Sequence, residues 1–155
     1  MLELRIRGAL PEDAPVIAGF NAAMALETEH LTLDPVRLRA GVEAVLADAA
    51  KGFYFVAEED GQVVGQLMIT FEWSDWRNGN FWWIQSVYVQ PETRGLGVYR
   101  RLYEHVRSAA ADAGNVCGIR LYVERENKRA QEVYRRQGMR AAGYEMYEVD
   151  LVIRR

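Results

Sequence analysis

At 155 residues, 50% apolar and 26% charged, the chain is long enough to bury a core without covalent staples and has an ordinary globular composition. A formal net charge of −3 gives no electrostatic ground for nucleic-acid binding, and the single Cys117 excludes an internal disulfide or a multi-cysteine metal site. No stretch reaches the roughly 20 apolar residues of a membrane span. The opening MLELRIRGAL alternates apolar and charged residues, so it does not read as a signal peptide. The expectation is one cytoplasmic domain over residues 1–155, without a membrane segment or a metal.

LELRIRGA has period two and predicts a half-buried first strand. PEDAPVIAGFNAAMALE begins with Pro11 and two acids, a helix start, and carries Val16, Ile17, Phe20 and Met24 on one face. Asp34-Pro35 opens a second helix with Leu38, Val42, Val45 and Leu46 along one side. GFYFVAEE and QVVGQLMITFEW flank Asp60-Gly61, a strong hairpin signal. SDWRNGN is a second turn, and FWWIQSVYV is the fourth strand. A helix from about Gly95 to Ala113 buries Val98, Leu102, Val106 and Ala109, and Gly114-Asn115 ends it. VCGIRLYVE is a fifth strand, holding Cys117 as a structural thiol. NKRAQEVYRRQG is a short helix closed by Gly138, and YEMYEVDLVI is a terminal strand.

The order is β-α-α-β-β-β-α-β-α-β. Strands two to four form an antiparallel meander, while strands four and five flank a helix and must run parallel. The fold class is therefore α+β with a mixed, mostly antiparallel sheet, and not a doubly wound nucleotide fold.

One stretch carries chemistry. TRGLGVYRR joins a strand to a helix through Gly95 and Gly97. A Walker loop would end in Lys-Ser or Lys-Thr, and none is present. A dinucleotide fingerprint needs a third glycine where Arg100 stands, and it would begin its fold instead of following a meander. The third reading is a pyrophosphate site. Successive N–H groups at a helix start form an anion nest, glycine allows close approach, and Arg94, Arg100 and Arg101 add positive charge. Against it stands a plain tight turn.

A second motif decides between them. In ENKRAQEVYRRQGM, Asn127, Ala130 and Tyr134 lie on one helical face. Together with VYVQPETRGLGVYRRL this resembles the GNAT superfamily of N-acetyltransferases: Arg94, Gly97, Asn127, Ala130, Tyr134 and Gly138 match its two motifs. Tyr99 stands where the family has a small residue.

The resemblance implies acetyl-CoA as cosubstrate, an amine acceptor, and direct attack in a ternary complex, with strands four and five splayed around the cofactor. It implies cofactor contacts from Val87, Tyr88 and Val89 on strand four, from Arg94, Gly95, Leu96, Gly97, Val98, Tyr99 and Arg100 at the turn, and from Asn127 and Ala130. Tyr134 would protonate or hydrogen-bond the departing thiolate, because a phenol stays protonated at neutral pH. Strand four carries no carboxylate, so Glu72 on strand three is the candidate base or ammonium holder, followed by Glu27 and Glu29. Candidate acceptor contacts are Glu27, His30, Trp73, Trp82 and Gln85. His105, on the long helix, is expected to be exposed. The tryptophan cluster reads either as an aromatic pocket or as core and dimer contact, so a homodimer is among the expectations. The alternative function is an acyl-CoA-binding sensor or interaction module of the same fold.

Overall fold

The computed structural model describes residues 2–153; Met1, Arg154 and Arg155, at the ends of the expected domain, lie outside the described residues. The chain divides into two compact units, Met1–Leu121 and Tyr122–Arg155.

In the first unit the elements are β1 (Arg5–Gly8), α1 (Ala14–Glu29), α2 (Pro35–Ala47), β2 (Phe53–Glu59), β3 (Gln62–Ser74), β4 (Gly79–Val89), α3 (Val98–Ala113) and β5 (Val116–Arg120). The five strands lie in the sheet in chain order. Every neighbouring pair is antiparallel except β4 and β5, which run parallel as the intervening helix requires. The β2–β3 turn has positive φ at both Asp60 (49°) and Gly61 (76°), the twist a two-residue hairpin needs.

The core lies on both faces of this sheet. On one face α1 and α2 cover Tyr54 and Val56, with Ala14, Ile17 and Val42 buried between them. On the other face α3 buries Val98, Leu102 and Val106. Its His105 is half-buried and stands edge-on to the Phe55 ring, 4.7 Å between centroids, so it is a packing residue and not the exposed one expected. Asp34 caps α2 as its position before Pro35 predicts, accepting from the Val36 and Arg37 N–H groups. Among the described residues, no helix is long and apolar enough to cross a membrane.

Two further expectations change. Pro11–Asp13 forms a separate 3₁₀ turn before α1, because Asp13 is occupied elsewhere. Its carboxylate accepts from Arg7 Nη1 (2.7 Å) and Nη2 (3.1 Å) and from the Leu10 N–H (2.7 Å), while Arg7 Nε donates to Glu58 (2.7 Å). Secondly, residues 144–153, expected as a terminal strand, form no strand, and each is exposed. A strand exists only through a neighbour that takes up its N–H and C=O groups. In the second unit the element formed is α4 (Lys128–Arg136).

The Asp13 cluster predicts a pH dependence. The Arg7 guanidinium holds the Asp13 carboxyl below the usual carboxylate range, with help from the Leu10 N–H, and Asp13 is 8% exposed. A depressed folded-state pKa contributes stability that is complete above the ordinary value, near 4, and is lost as pH falls through the lower folded value. Asp13→Asn should cost about 1–3 kcal/mol at neutral pH. Urea melts of the two proteins should converge below about pH 4; parallel curves down to that pH would contradict this assignment.

Candidate active site

The site begins with an extra residue in β4. Gln66 on β3 pairs with Tyr88, and Met68 pairs with Gln85, so one residue of β3 faces two of β4, Ser86 and Val87. Ser86 takes the left-handed conformation (φ 51°) that such a bulge needs. Side chains alternate along a strand, so Gln85 and Tyr88 would ordinarily point to opposite faces. The bulge puts both on the α1–α2 face: Gln85 Nε2 donates to Thr70 Oγ1 (2.6 Å), and the Tyr88 ring lies 5.1 Å from that of Phe20 on α1.

A fully buried amide holds the bulge. Gln66 Nε2 donates to the Ser86 carbonyl and to Asn21 Oδ1 on α1, each at 3.1 Å. Sequence reading missed this residue, although a glutamine inside the apolar run VVGQLMI was the available signal.

β5 accompanies β4 only as far as the Trp83–Arg120 pair. Beyond it the outer edge of β4 is open among the described residues. The ladder pairs Tyr88 with Gln66, and the Gln90 N–H donates to Val64 O on β3 (2.8 Å). By alternation the peptide groups of Val87 and Val89 point to the open edge. That edge runs into the glycine turn. Gly95 (φ 77°) and Gly97 (φ 87°) both take left-handed backbone, and a Cβ at Gly97 would stand 3.4 Å from Arg100 Nη2. The first helical bond of α3 is Arg101 N–H to Gly97 O (3.1 Å), so the N–H groups of Val98, Tyr99 and Arg100 have no helical acceptor and present the positive end of the helix. Leu96 sits exposed at the tip of the turn. Tyr99 lies half-buried along the helix beside Tyr103, 6.3 Å between ring centroids.

The basic residues divide. Arg100 lies beside the turn. Arg101 donates to Leu4 O (3.1 Å) at the entry to β1. Arg94 closes a clamp: its Nε donates to Val89 O (2.8 Å), its Nη2 to Glu27 Oε2 (2.9 Å), and its guanidinium lies 5.3 Å from the Tyr88 ring centroid. Tyr88 Oη donates to the other oxygen of Glu27 (2.9 Å). Arg94 and then Tyr88 hold the Glu27 carboxyl below its usual range, while burial and Glu27 push the Tyr88 phenol up. Glu27 thus ties the end of α1 to the end of β4. His30, the residue after α1, is exposed in left-handed conformation (φ 53°).

Glu72 lies on the same face as Gln85. Its Oε1 accepts from Trp83 Nε1 and from Arg120 Nη1, both at 2.9 Å, and these bonds, Trp83 first, hold its carboxyl below the usual range. Arg120 also stacks 3.6 Å from the centroid of Phe81. Trp82 points the other way: it is 7% exposed and packs edge-on against Phe53 at 5.2 Å. This corrects its assignment as an acceptor contact. Trp73 shares the sheet face of Trp82 and is exposed. The sheet therefore separates Glu72, Trp83 and Gln85 from Trp73 and Trp82.

In the second unit Asn127 caps α4, its Oδ1 accepting from the Ala130 N–H (3.1 Å). Tyr134 is half-buried on that helix, and burial pushes its phenol above the ordinary value.

The sequence profile described as the Acetyltransferase (GNAT) family matches residues 22–139. The chain belongs to the GNAT acetyltransferase family. A GNAT-fold chain from Clostridium difficile 630, described as a possible acetyltransferase, superposes with a TM-score of 0.90 at 44% identity, over 99% of this chain and 100% of that one. The thialysine N-epsilon-acetyltransferase of Bos taurus is 36% identical over 77 residues, 49% of this chain and 44% of that protein. The chain thus spans about half the length of the curated relatives it matches. A predicted acetyltransferase from Clostridium acetobutylicum, solved with acetyl-CoA, shares the fold alone (TM-score 0.76, 19% identity, 96% of this chain and 97% of that one).

Gln66→Leu keeps the bulk but leaves the Ser86 carbonyl and the Asn21 side-chain oxygen without this donor. It should cost about 1–3 kcal/mol, read as a lowered midpoint in thermal or urea melts. A variant as stable as the parent would show that the bulge holds without Gln66.

Proposed function

We propose that the protein is an acetyl-CoA-dependent N-acetyltransferase that acts on a primary amine, by direct attack in a ternary complex. The observation that carries this reading is the continuity of the open β4 edge at Val87–Val89 with the N–H-rich turn at Gly95–Arg100. An extended amide chain pairs with the former, as an added strand would, and a pyrophosphate suits the latter. The two features lie in the order that coenzyme A presents them. The amine-acetylating name of the Bos taurus relative and the acetyl-CoA in the Clostridium acetobutylicum structure support the same reading.

Bound acetyl-CoA supplies an activated acetyl thioester. The chain's own groups do the rest. The Val87 N–H polarises the thioester carbonyl, Arg100 and the turn amides hold the phosphates, and Asn127, whose Oδ1 is taken by the helix cap, offers its Nδ2 to the pantetheine. Arg94 acts indirectly: with Glu27 it fixes the Val89 carbonyl and the approach to the turn. Tyr134 gives its proton to the departing sulfur, and its raised pKa keeps that proton in place at neutral pH.

The acceptor must lose a proton to attack. For an amine of pKa about 10 this costs roughly 4 kcal/mol at pH 7. Glu72 is held below the usual carboxylate range, which weakens it as a base and suits it to hold an ammonium ion with Oε2, the oxygen that accepts neither bond. Glu72→Gln should then raise the acceptor KM with little change in kcat. A fall in kcat confined to low pH would make Glu72 the base instead.

Tyr134→Phe tests the acid. Turnover should fall by roughly 10²-fold with acetyl-CoA affinity unchanged. Acetyl-CoA should also raise the melting temperature where NAD does not, because only a ligand of the folded state stabilises it. An unaltered rate would remove Tyr134 from catalysis, and stabilisation by NAD alone would overturn the reading of the turn.

A further inference from the structure

The first unit carries a pair of positive charges that the proposed reaction does not use. On the sheet face that holds Glu72 and Gln85, two guanidiniums share the Phe81 ring. Arg120, on β5, stands 3.6 Å from the ring centroid, and Arg77, in the turn between β3 and β4, stands 4.9 Å from it. The ring is wedged against β5, where a Cβ at Gly118 would stand 2.5 Å from it. Arg120 Nη1 donates to Glu72 Oε1 (2.9 Å), and Arg77 Nη1 donates to Ser74 Oγ (3.3 Å). Arg77 is also close enough to help keep the Glu72 carboxyl ionised. Among the described residues of the first unit, Glu72 is the one carboxylate that pairs with either guanidinium; Asp75, in the same turn as Arg77, pairs with neither. Two positive charges therefore meet one negative charge.

Packing does not call for this arrangement. An apolar residue at either position would cover the ring without setting like charges together. A second anion relieves the excess. Arg120 spends one N–H donor on Glu72, and its planar fork suits a further carboxylate. Glu72 accepts both of its bonds on Oε1, which leaves Oε2 for an ammonium ion. An ammonium and a carboxylate on one carbon make the head of an α-amino acid.

The strand sets the length of the rest. Arg120 pairs with Trp83, and the N–H proposed to polarise the thioester belongs to Val87. The rise between them is about 13 Å, at roughly 3.3 Å per residue. An extended chain of about six bonds, with a hydrogen bond at each end, covers that distance. Gln85 lies on the way, on the same face.

We propose that the acceptor is a basic α-amino acid held by its head, a substrate class that rests on the acetyl transfer proposed for this chain. Glu72 takes the α-ammonium, Arg120 and Arg77 take the α-carboxylate, and the side-chain amine reaches the thioester. In the transfer the side-chain ammonium gives up two protons, one to solvent and one to the departing sulfur, as a C–N bond replaces the C–S bond. The α-ammonium stays charged against Glu72 and takes no part.

Lysine, lysinamide and 6-aminohexanoate separate the groups: the second lacks the carboxylate and the third lacks the α-ammonium. Lysine should have the highest kcat/KM, and lysinamide should fall below it by roughly 10- to 100-fold, the loss of a hydrogen bond between charged groups. Equal values for the two would overturn the proposal. Mass analysis should place the acetyl group on the side-chain nitrogen of lysine; acetylation at the α-nitrogen would overturn it as well. Arg120→Gln should bring the ratio of lysine to lysinamide close to one, and Arg120→Lys, which keeps the charge, should retain part of it. A ratio that Arg120→Gln leaves unchanged would remove the carboxylate from this site. Norleucine, which has the head and no side-chain amine, reads binding without turnover. In calorimetry on the full chain it should bind, and Arg120→Gln should weaken it roughly 10- to 100-fold. No binding to the parent would overturn the proposal. If norleucine binds in this way and none of the three amines is acetylated, the transfer reading fails and the head-group site stands.

Discussion

A single buried amide governs the geometry of this protein. Gln66 reaches from β3 to the carbonyl of Ser86 and to Asn21 on α1, and so holds an extra residue in the middle of β4. A left-handed serine costs roughly 1–2 kcal/mol against ordinary strand backbone, and it persists because the side-chain bond replaces the ladder bond that the bulge removes. The proposed cofactor edge depends on that residue. The bulge turns Tyr88 onto the face of α1, where Glu27 can meet it, and presents the peptide groups of Val87 and Val89 at an edge that β5 no longer covers.

The charged groups nearby are mostly engaged with each other. Glu27 is held by Tyr88 and Arg94, and Glu72 by Trp83 and Arg120. Both carboxyls are depressed for the same reason, hydrogen bonds that favour the ionised form, but the consequences differ. Both oxygens of Glu27 are occupied by neighbours from β4 and the turn after it, which makes it a brace. Glu72 accepts both bonds on one oxygen and is 46% exposed in its side chain, which leaves it able to meet an incoming cation. Among the described residues of this face, the depressed carboxyls of Glu27 and Glu72 are both weakened as bases. That favours an acceptor delivered as an ammonium ion and deprotonated through water.

Much of this was legible in the residues. Asp60-Gly61 fixed the hairpin, Asp34 before Pro35 fixed a helix start, and Gly95 and Gly97 marked the turn because left-handed backbone favours glycine there. The opposition of Trp82 and Trp83 also followed from alternation, but which of them faced the core depended on where α3 settled. The bulge was not legible, since QSVYV contains neither glycine nor proline to announce it. The ion pairs were hidden by distance along the chain, 67 residues for Arg94–Glu27 and 48 for Arg120–Glu72. The terminal segment shows the limit of periodicity most plainly. YEMYEVDLVI has the composition of a strand, yet composition does not supply the neighbour that makes one.

In the proposed function, the open edge of β4 and the turn before α3 together form one surface for an extended, phosphate-bearing acyl carrier. Backbone amide hydrogen exchange, followed with and without saturating acetyl-CoA, tests this directly. Slowed exchange is expected at Val87, at Val89 and from Gly95 to Arg100, with the hairpin at Asp60-Gly61 unchanged. Protection confined to other segments, or none at a concentration that saturates binding, would contradict it.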